Sequence, residues 1–550
     1  MKIALAQLDY HIGNFLENTT NIVLEIKKAE QFEVDLVVFS ELSICGYPPL
    51  DLLERRDFVE KCEHEVEKIA RICKNIGVLL GGPSINPDPK GKMLFNTAYF
   101  LYGGVIKEKF HKSLLPTYDI FDEYRHFEPN EQFRVLEFRD KRIAVTICED
   151  LWDEQPVENT FSRERLYKLN PMKELSKQSP DLIVNMAASP YAHSRTKLKK
   201  DIFINKAKEY SLPVIYVNQV GAQTQLIFEG GSMAVDRKGK VVEQLSYFSP
   251  DVRIIDTNDL EGKKKPPLFE EPDRMKMVHD ALITGIRGYF FKNNLSKALV
   301  GLSGGIDSAV TMVLASRALG NKNVHGLLLP SKYSSDHSVT DAIDLANNLS
   351  VTFDIIDIQA IFDSFLKTLG PVFSGRAEDL TEENIQSRIR GSLLMAYSNK
   401  FGHILLNTSN KSEAAVGYGT LYGDMSGGLS VLGDVYKTDV YQLAGFINRK
   451  KEIIPENSIH KAPSAELRPN QKDSDSLPEY DVLDRVLFEY IEKQKPVADI
   501  MASGYKGELV MDIVRKVNQN EYKRFQTPPI LRISSKSFGL GRRMPLVAKY

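Results

Sequence analysis

Cysteine is scarce in this chain: Cys45, Cys62, Cys73 and Cys148 are the only four in 550 residues. None of their spacings matches a zinc site, and four are too few for a disulfide framework. A reducing cytoplasm is the expected compartment. Net charge is nearly absent too, at −2 from 71 basic and 73 acidic residues. That balance gives no surface for nucleic acid or an anionic membrane. No uninterrupted apolar run approaches the length of a membrane helix. The opening MKIALAQLDYHIGN turns polar after Leu8, so it has no signal-peptide core. What remains is ordinary globular composition, 42% hydrophobic and 26% charged, in a chain too long for one core. Two or three domains are expected.

Residues 1 to about 256 alternate short apolar runs with helix-like segments. Ile3 to Leu8, Asp35 to Phe39, Val78 to Gly81, Ile143 to Ile147, Asp181 to Met186 and Val214 to Asn218 read as buried strands. Thr20 to Gln31, Phe58 to Asn75 and Lys197 to Tyr210 read as helices between them. The pattern predicts an α/β sandwich of mixed sheets with outer helices. Residues 257–273 hold Gly262, three lysines and three prolines, which is linker chemistry. Residues 274–550 open with an amphipathic helix around Met275 to Phe291. Strand-like runs follow at Lys297 to Gly301, Val324 to Leu329, Thr352 to Ile358 and His403 to Asn407. Strands alternating with helices predict a doubly wound parallel sheet of Rossmann-like type.

Between the first of those strands and the next helix lies Leu302-Ser303-Gly304-Gly305-Ile306-Asp307-Ser308. Two glycines let backbone approach a polyanion. Serine hydroxyls and free helix N–H groups can bind phosphate oxygens, and Asp307 can hold Mg²⁺ beside them. The lysine of a Walker A loop is missing, so a kinase or GTPase is not indicated. The segment resembles the SGGxDS loop of the PP-loop ATP pyrophosphatases, which transfer AMP to a substrate oxygen. The bland alternative is a Gly-Ser turn in an α/β protein.

Three residues of the first half form a second constellation. Glu41 ends a strand in VVFSELSICGYPPLDL, Lys112 follows one in KEKFHKSLLPTYDIFDEYRHF, and Cys148 ends another in ICEDLW. A thiol with an unperturbed pKa of about 8.5 needs a base to attack an amide near neutrality. A carboxylate can take its proton and a lysine can stabilise the oxyanion. Taken singly, the cysteine would read as core packing and the lysine as surface.

The surrounding words resemble the nitrilase, or carbon–nitrogen hydrolase, superfamily, and most of all the glutaminase domain of glutamine-dependent NAD⁺ synthetases. The resemblance implies a nitrilase-like α-β-β-α sandwich with Glu41 as base, Lys112 as transition-state stabiliser and Cys148 as nucleophile. It implies Glu123 as a second acid orienting the lysine, with Glu128 and Glu149 also open. Tyr118, Ser189 and Arg195 match the family's glutamine contacts, and a guanidinium suits an α-carboxylate.

The resemblance continues in the second half. It places ATP on residues 302–308, Thr408 and Lys437. It places deamido-NAD⁺ on Asn384, Glu413, Asp424 and Lys523, and metal on Asp307 and Glu413. The implied reaction is transfer of AMP from ATP to deamido-NAD⁺, then attack by ammonia freed from glutamine, with Mg²⁺ as cofactor. A buried channel between the sites and a homo-oligomer built on a synthetase-domain dimer are implied as well. No nucleic acid or membrane partner is expected. Residues from about 455 to 480 read as either a flap over the synthetase site or a solvated loop. The alternatives are another PP-loop amidotransferase and a non-catalytic nucleotide-binding scaffold.

Overall fold

The computed structural model describes residues 1–152, 166–262, 269, 272–469 and 471–549. They form two compact units, Met1–Glu271 and Pro272–Tyr550.

The first unit begins β1 (Lys2–Gln7), α1 (Phe15–Gln31), β2 (Leu36–Val38), α2 (Arg56–Ile72) and β3 (Gly77–Ile85). It continues β4 (Leu94–Tyr102), β5 (Val105–His111), β6 (Leu136–Phe138), β7 (Lys141–Ile147), α3 (Pro171–Ser176), β8 (Leu182–Ala187) and α4 (Thr196–Tyr210). Then come β9 (Val214–Asn218), β10 (Val220–Gln223), β11 (Leu226–Glu229), β12 (Met233–Val235), β13 (Val241–Gln244) and β14 (Asp251–Asp256). Two six-stranded sheets result, ordered β14-β1-β2-β3-β4-β5 and β13-β12-β9-β8-β7-β6. At the centres, β1-β2-β3 and β7-β8-β9 run parallel.

Strand periodicity of two explains the layering. Ile3, Leu5, Leu36, Val38 and Leu79 share one core with Ile143, Val145, Ile183 and Ile215 of the other sheet. Their neighbours Ala4, Ala6, Val37, Val78 and Leu80 face the opposite way, into a second core with Ile22 and Ile26 of α1 and Val66 and Ile69 of α2. Both faces of the strands are covered, which is why they read as continuous apolar runs rather than alternating ones. This is the expected four-layer sandwich. Residues Thr257–Glu261 form a 3-10 turn whose Leu260 is buried in the first core, and the amino terminus donates to the Thr257 hydroxyl. The first residues read as linker therefore pack within the first unit. Residues 263–268, 270 and 271 lie outside the described ones.

The second unit runs α5 (Arg274–Lys292), β15 (Ala298–Gly301), α6 (Ile306–Leu319), β16 (Val324–Leu328), α7 (Asp336–Leu349) and β17 (Thr352–Ile355). It continues α8 (Gln359–Phe373), α9 (Leu380–Phe401), β18 (Ile404–Asn407), α10 (Lys411–Val416), β19 (Leu429–Ser430) and α11 (Lys437–Asn448), followed by further helices. All five strands are parallel, in the order β17-β16-β15-β18-β19. Strand order reverses at β15, so β15 and β18 part their connections to opposite faces and open a crevice at their carboxyl ends.

Candidate functional site

In the first unit, carboxyl ends of β2, β5, β7 and β8 converge. Lys112 Nζ donates to Glu41 Oε1 at 2.7 Å and to both oxygens of Glu123, at 2.8 and 2.7 Å. All three side chains are buried. Asn96 Nδ2 adds a bond to Glu41 Oε1 at 2.8 Å, and the Ala188 N–H reaches Oε2 at 3.1 Å. The Tyr47 hydroxyl donates to Glu123 at 2.9 Å. The acid that holds the lysine is thus Glu123. Of the other two open assignments, Glu128 accepts the Lys92 N–H, and Glu149 accepts the hydroxyls of Tyr118 at 2.8 Å and Tyr167 at 3.0 Å.

Burial opposes the Lys112 charge, but Glu123 and Glu41 outweigh it and hold its pKa well above the usual lysine range. Burial, against the pull of Lys112, pushes Glu123 up to about 7. Cys148 is buried directly after β7, with φ of +43°. That left-handed conformation is costly for a side-chain-bearing residue and marks a sharp turn that projects the thiol. Burial, then the Glu41 charge, raise its pKa well above the ordinary thiol value. The thiol therefore rests neutral and needs a base when a substrate arrives.

Ser189 directly follows the Ala188 amide bound by Glu41, and its own N–H is held by Asn218 Oδ1 at 2.8 Å. Arg195 stands at the N-cap of α4, and its charge reaches Glu149. Tyr118 therefore bonds the residue next to Cys148, and the Arg195 charge acts on it electrostatically.

Sequence reasoning missed Asp150. Its Oδ1 accepts the N–H groups of Ser113 and Leu114, both at 2.9 Å, and its Oδ2 accepts that of Ile147 at 3.0 Å. One buried carboxylate ties the backbone after Lys112 to the residue before Cys148. Its position two residues after the cysteine was the available signal. Asp150→Asn should lower amide hydrolysis at Cys148 by about 10²-fold, because small displacements of reacting groups are costly. Steady-state hydrolysis rates of the variant and the wild type check this.

In the second unit, two cavities occupy the crevice at the switch point. The larger, about 260 Å³, is lined by Leu302, Leu327 to Leu329, Arg390 and Thr408, among others. The second, about 200 Å³, is lined by Gly305, Ile306, Asp307, Ser308, Thr408, Glu413 and Lys437. Ser303, Thr408 and Asp424 border both. Gly304 has φ of +76°, and a Cβ there would lie 2.1 Å from the Ser338 carbonyl oxygen, so only glycine lets the loop pass. Ser303 Oγ accepts the Gly305 N–H at 3.2 Å and lies 3.1 Å from Ser308 Oγ. This orients both hydroxyls at the N-terminus of α6, where anions are stabilised.

Lys437 Nζ bonds Asp307 Oδ2 at 2.5 Å and Glu413 Oε1 at 3.5 Å, and Asn410 Nδ2 bonds Asp307 Oδ1 at 3.1 Å. Asn410 and Glu413 also form a reciprocal capping box at the start of α10. Burial, then the Asp307 charge, push Glu413 up to about 8. Asp473, held by the hydroxyls of Tyr418 and Tyr480, lines the same cavity. Lys437 thus contacts two carboxylates, Asp307 and Glu413, with Asp473 on the same cavity wall, a crowding of acidic groups that a divalent cation would relieve.

The remaining expected contacts lie differently. Asp424 accepts the Thr420 N–H at 2.6 Å and the Ser387 hydroxyl at 3.1 Å. Asn384 accepts the Thr420 hydroxyl at 2.7 Å. Lys523 spends its ammonium on the carbonyls of Gly417 and Gly419, at 2.7 and 2.8 Å. Asn384 and Lys523 line neither cavity; they brace the 417–424 loop that does. Of the segment read as flap or loop, residues 461–466 wall the second cavity and 464–467 the larger one. Glu466 Oε1 accepts from the hydroxyls of Ser335 and Ser338, at 3.0 and 2.7 Å, which fastens that wall to the start of α7.

Fold and site together define a two-site enzyme, a thiol-dependent amide hydrolase joined to a nucleotide-binding α/β unit. Residues 2–261 match the carbon-nitrogen hydrolase family and residues 278–527 the NAD synthase family. The glutamine-dependent NAD(+) synthetase of Synechocystis sp. is 43% identical over all of this chain and 99% of its own length. That of Thermotoga maritima is 39% identical over all of this chain and 99% of its own. The structure of glutamine-dependent NAD+ synthetase from Acinetobacter baumannii in complex with ADP covers 99% of this chain and 98% of its own, with 38% identity and a TM-score of 0.77. The chain belongs to the glutamine-dependent NAD⁺ synthetase family.

Proposed function

We propose that this chain makes NAD⁺ from deamido-NAD⁺, ATP and glutamine, with its two units doing separate halves of the chemistry. In the first, Glu41 takes the Cys148 proton as Sγ attacks the glutamine carboxamide. Lys112 and its neighbours stabilise the oxyanion, and the proton passes to the departing ammonia. Water, activated by Glu41, then releases glutamate from the thioester. Tyr118, Ser189 and Arg195 hold the amino-acid end, with Glu149 beside them.

In the second unit, the larger cavity takes the adenosine of ATP and the smaller one its phosphates, on residues 303–308, Thr408 and Lys437. A carboxylate oxygen of deamido-NAD⁺ attacks the α-phosphorus and pyrophosphate leaves. Ammonia then attacks the acyl carbon of the adenylate, and AMP departs. Asp307 and Glu413 would hold Mg²⁺, which when bound offsets the charge of the phosphates. Asp424 faces the dinucleotide, and Asn384 and Lys523 act through the loop they brace. Ammonia must arrive unprotonated, because ammonium has no lone pair; this accounts for both catalysts residing in one chain.

The observation that carries this reading is one chain holding two complete clusters, Glu41–Lys112–Glu123–Cys148 and Asp307–Glu413–Lys437. The test is a product balance. Each NAD⁺ formed should be matched by one AMP, one pyrophosphate and at least one glutamate; ADP in place of AMP overturns it.

The same reading includes a homo-oligomer built through the second unit. Helix α8 buries only Phe362 of its 15 residues, and Ile361, Phe365 and Val372 stand exposed, an apolar face that a second copy would cover. Phe365→Asp should shift the protein to a smaller species in light scattering. The four free thiols fit the cytoplasm, and among the described residues no helix is long and apolar enough to cross a membrane.

A further inference from the structure

Lys199 is a charged side chain in a place where charge is costly. It is 3% exposed, and no step of the proposed reaction uses it. It lies on the inward face of α4, one turn before Ile202 and Phe203, which pack into the first core. Its Nζ donates to Glu229 Oε1 of β11 at 2.7 Å, to the Pro190 carbonyl at 2.9 Å and to the Ser189 carbonyl at 3.3 Å. Burial holds its pKa below the ordinary lysine range even though Glu229 pulls the other way. A buried ion pair is weak evidence for stability, since well-packed apolar residues usually do as well or better. What this pair does supply is geometry. It joins three elements, α4, the turn after β8 and β11, at one atom.

Two of those elements carry proposed glutamine contacts. The turn after β8 presents Ser189, and its preceding residue, Ala188, donates to the base Glu41. The N-cap of α4 is Arg195, four residues before Lys199 and so on the same side of the helix. Arg195 precedes the helix proper, where only the Lys199 N–H to Arg195 carbonyl bond at 2.9 Å links the two residues locally. Among the described residues no other cation bonds the Ser189 and Pro190 carbonyls, and without Lys199 Glu229 would lose its ion-pair partner there.

We propose that Lys199 is a positioning residue for glutamine, locking the Ser189 turn to the Arg195 end of α4 so that both ends of the amino-acid head group are met at once. The proposal rests on the glutaminase reading of the first unit. Glutamate release by the wild-type protein tests that reading, and the variants below then test Lys199.

Lys199→Met should raise KM for glutamine by about tenfold or more while kcat changes by less than about threefold, the pattern of lost binding rather than lost chemistry. Ammonia-supported NAD⁺ formation should be unchanged. Lys199→Arg, which keeps a cation, should recover much of the KM. Lys199→Met/Glu229→Gln removes the stranded carboxylate; it should restore the melting temperature lost in the single variant while KM stays high. This double variant keeps the test open if the single one folds poorly. A KM near wild type in either Met variant overturns the proposal. So does a fall in kcat at constant KM, or a KM that recovers together with the melting temperature, because each would mean that Lys199 serves chemistry or packing alone.

Discussion

Cys148→Ala should abolish NAD⁺ formation from glutamine, by about 10⁴-fold or more, as loss of a covalent nucleophile does, and leave formation from ammonium salts near the wild-type rate. The asymmetry follows from where Cys148 sits. It belongs to the first unit, and its thiol is coupled electrostatically to Glu41 and Lys112 of that unit. The substitution also removes little volume and no bonded charge. The Glu41–Lys112–Glu123 cluster is held by Asn96, Ala188 and Tyr47, none of which depends on the sulfur. Folding should therefore survive. The ammonia-supported rate of the variant should rise with pH, because the unprotonated form is the nucleophile. Initial rates with each nitrogen source check this. Loss of both activities in a folded variant would mean that the two sites are not chemically separable.

The raised pKa of Cys148 adds a consequence. A thiol kept neutral by burial and by Glu41 reacts slowly with alkylating agents. Its reactivity in the resting enzyme should be low below neutrality and rise as pH rises, since the thiolate is what reacts.

Much of this architecture was legible because its strands are short, β-branched and covered on both faces. Val214–Asn218 appears with the bounds read from sequence, between Pro213 and Gln219. Other limits were set by chemistry that hydrophobic runs do not show. Helix α1 starts at Phe15 rather than Thr20, since Asn14 caps it through the Glu17 N–H. The Asn14-x-x-Glu17 pattern announces that start. The β4–β5 hairpin went unread, although Gly103-Gly104, both at positive φ, supply the two-residue turn such hairpins favour.

The sites divide the same way. Glu41, Lys112 and Cys148, just beyond strand ends, and Asp307, in the first turn of α6, could be picked out because the chain places them next to recognisable motifs. Glu123 is named by the resemblance, but Glu128 and Glu149 stay open beside it, for only the fold decides which carboxylate meets Lys112. Asn384 and Lys523 show the converse. Their positions are readable, but their side chains turn to Thr420 and to the 417–419 carbonyls rather than into a cavity.

Asp307→Asn should lower synthesis from both glutamine and ammonia by about 10²–10³-fold, the scale of removing one preorganised electrostatic contact, and leave glutamate release from glutamine intact. Asp307 is the carboxylate nearest the phosphate loop, in the first turn of α6, and it bonds both Lys437 and Asn410. Neutralising it has two effects. The cavity loses a proposed Mg²⁺ ligand, so the Mg²⁺ concentration needed for half-maximal rate should rise. Lys437 also loses its closest counter-charge and keeps only Glu413, 3.5 Å away. Glu413 responds in turn. Its pKa is raised by burial first and by the Asp307 charge second, so removing that charge lets it fall from about 8 toward the ordinary carboxylate range. A carboxyl that ionises more readily in the folded state costs less stability at neutral and alkaline pH, which offsets part of what Lys437 loses. The variant should therefore remain folded, with its defect confined to adenylation. Pyrophosphate release measured across a Mg²⁺ titration decides the matter: a rate restored to wild type at saturating Mg²⁺ would leave Asp307 as a metal ligand only, and a wild-type Mg²⁺ dependence would remove it from the metal site.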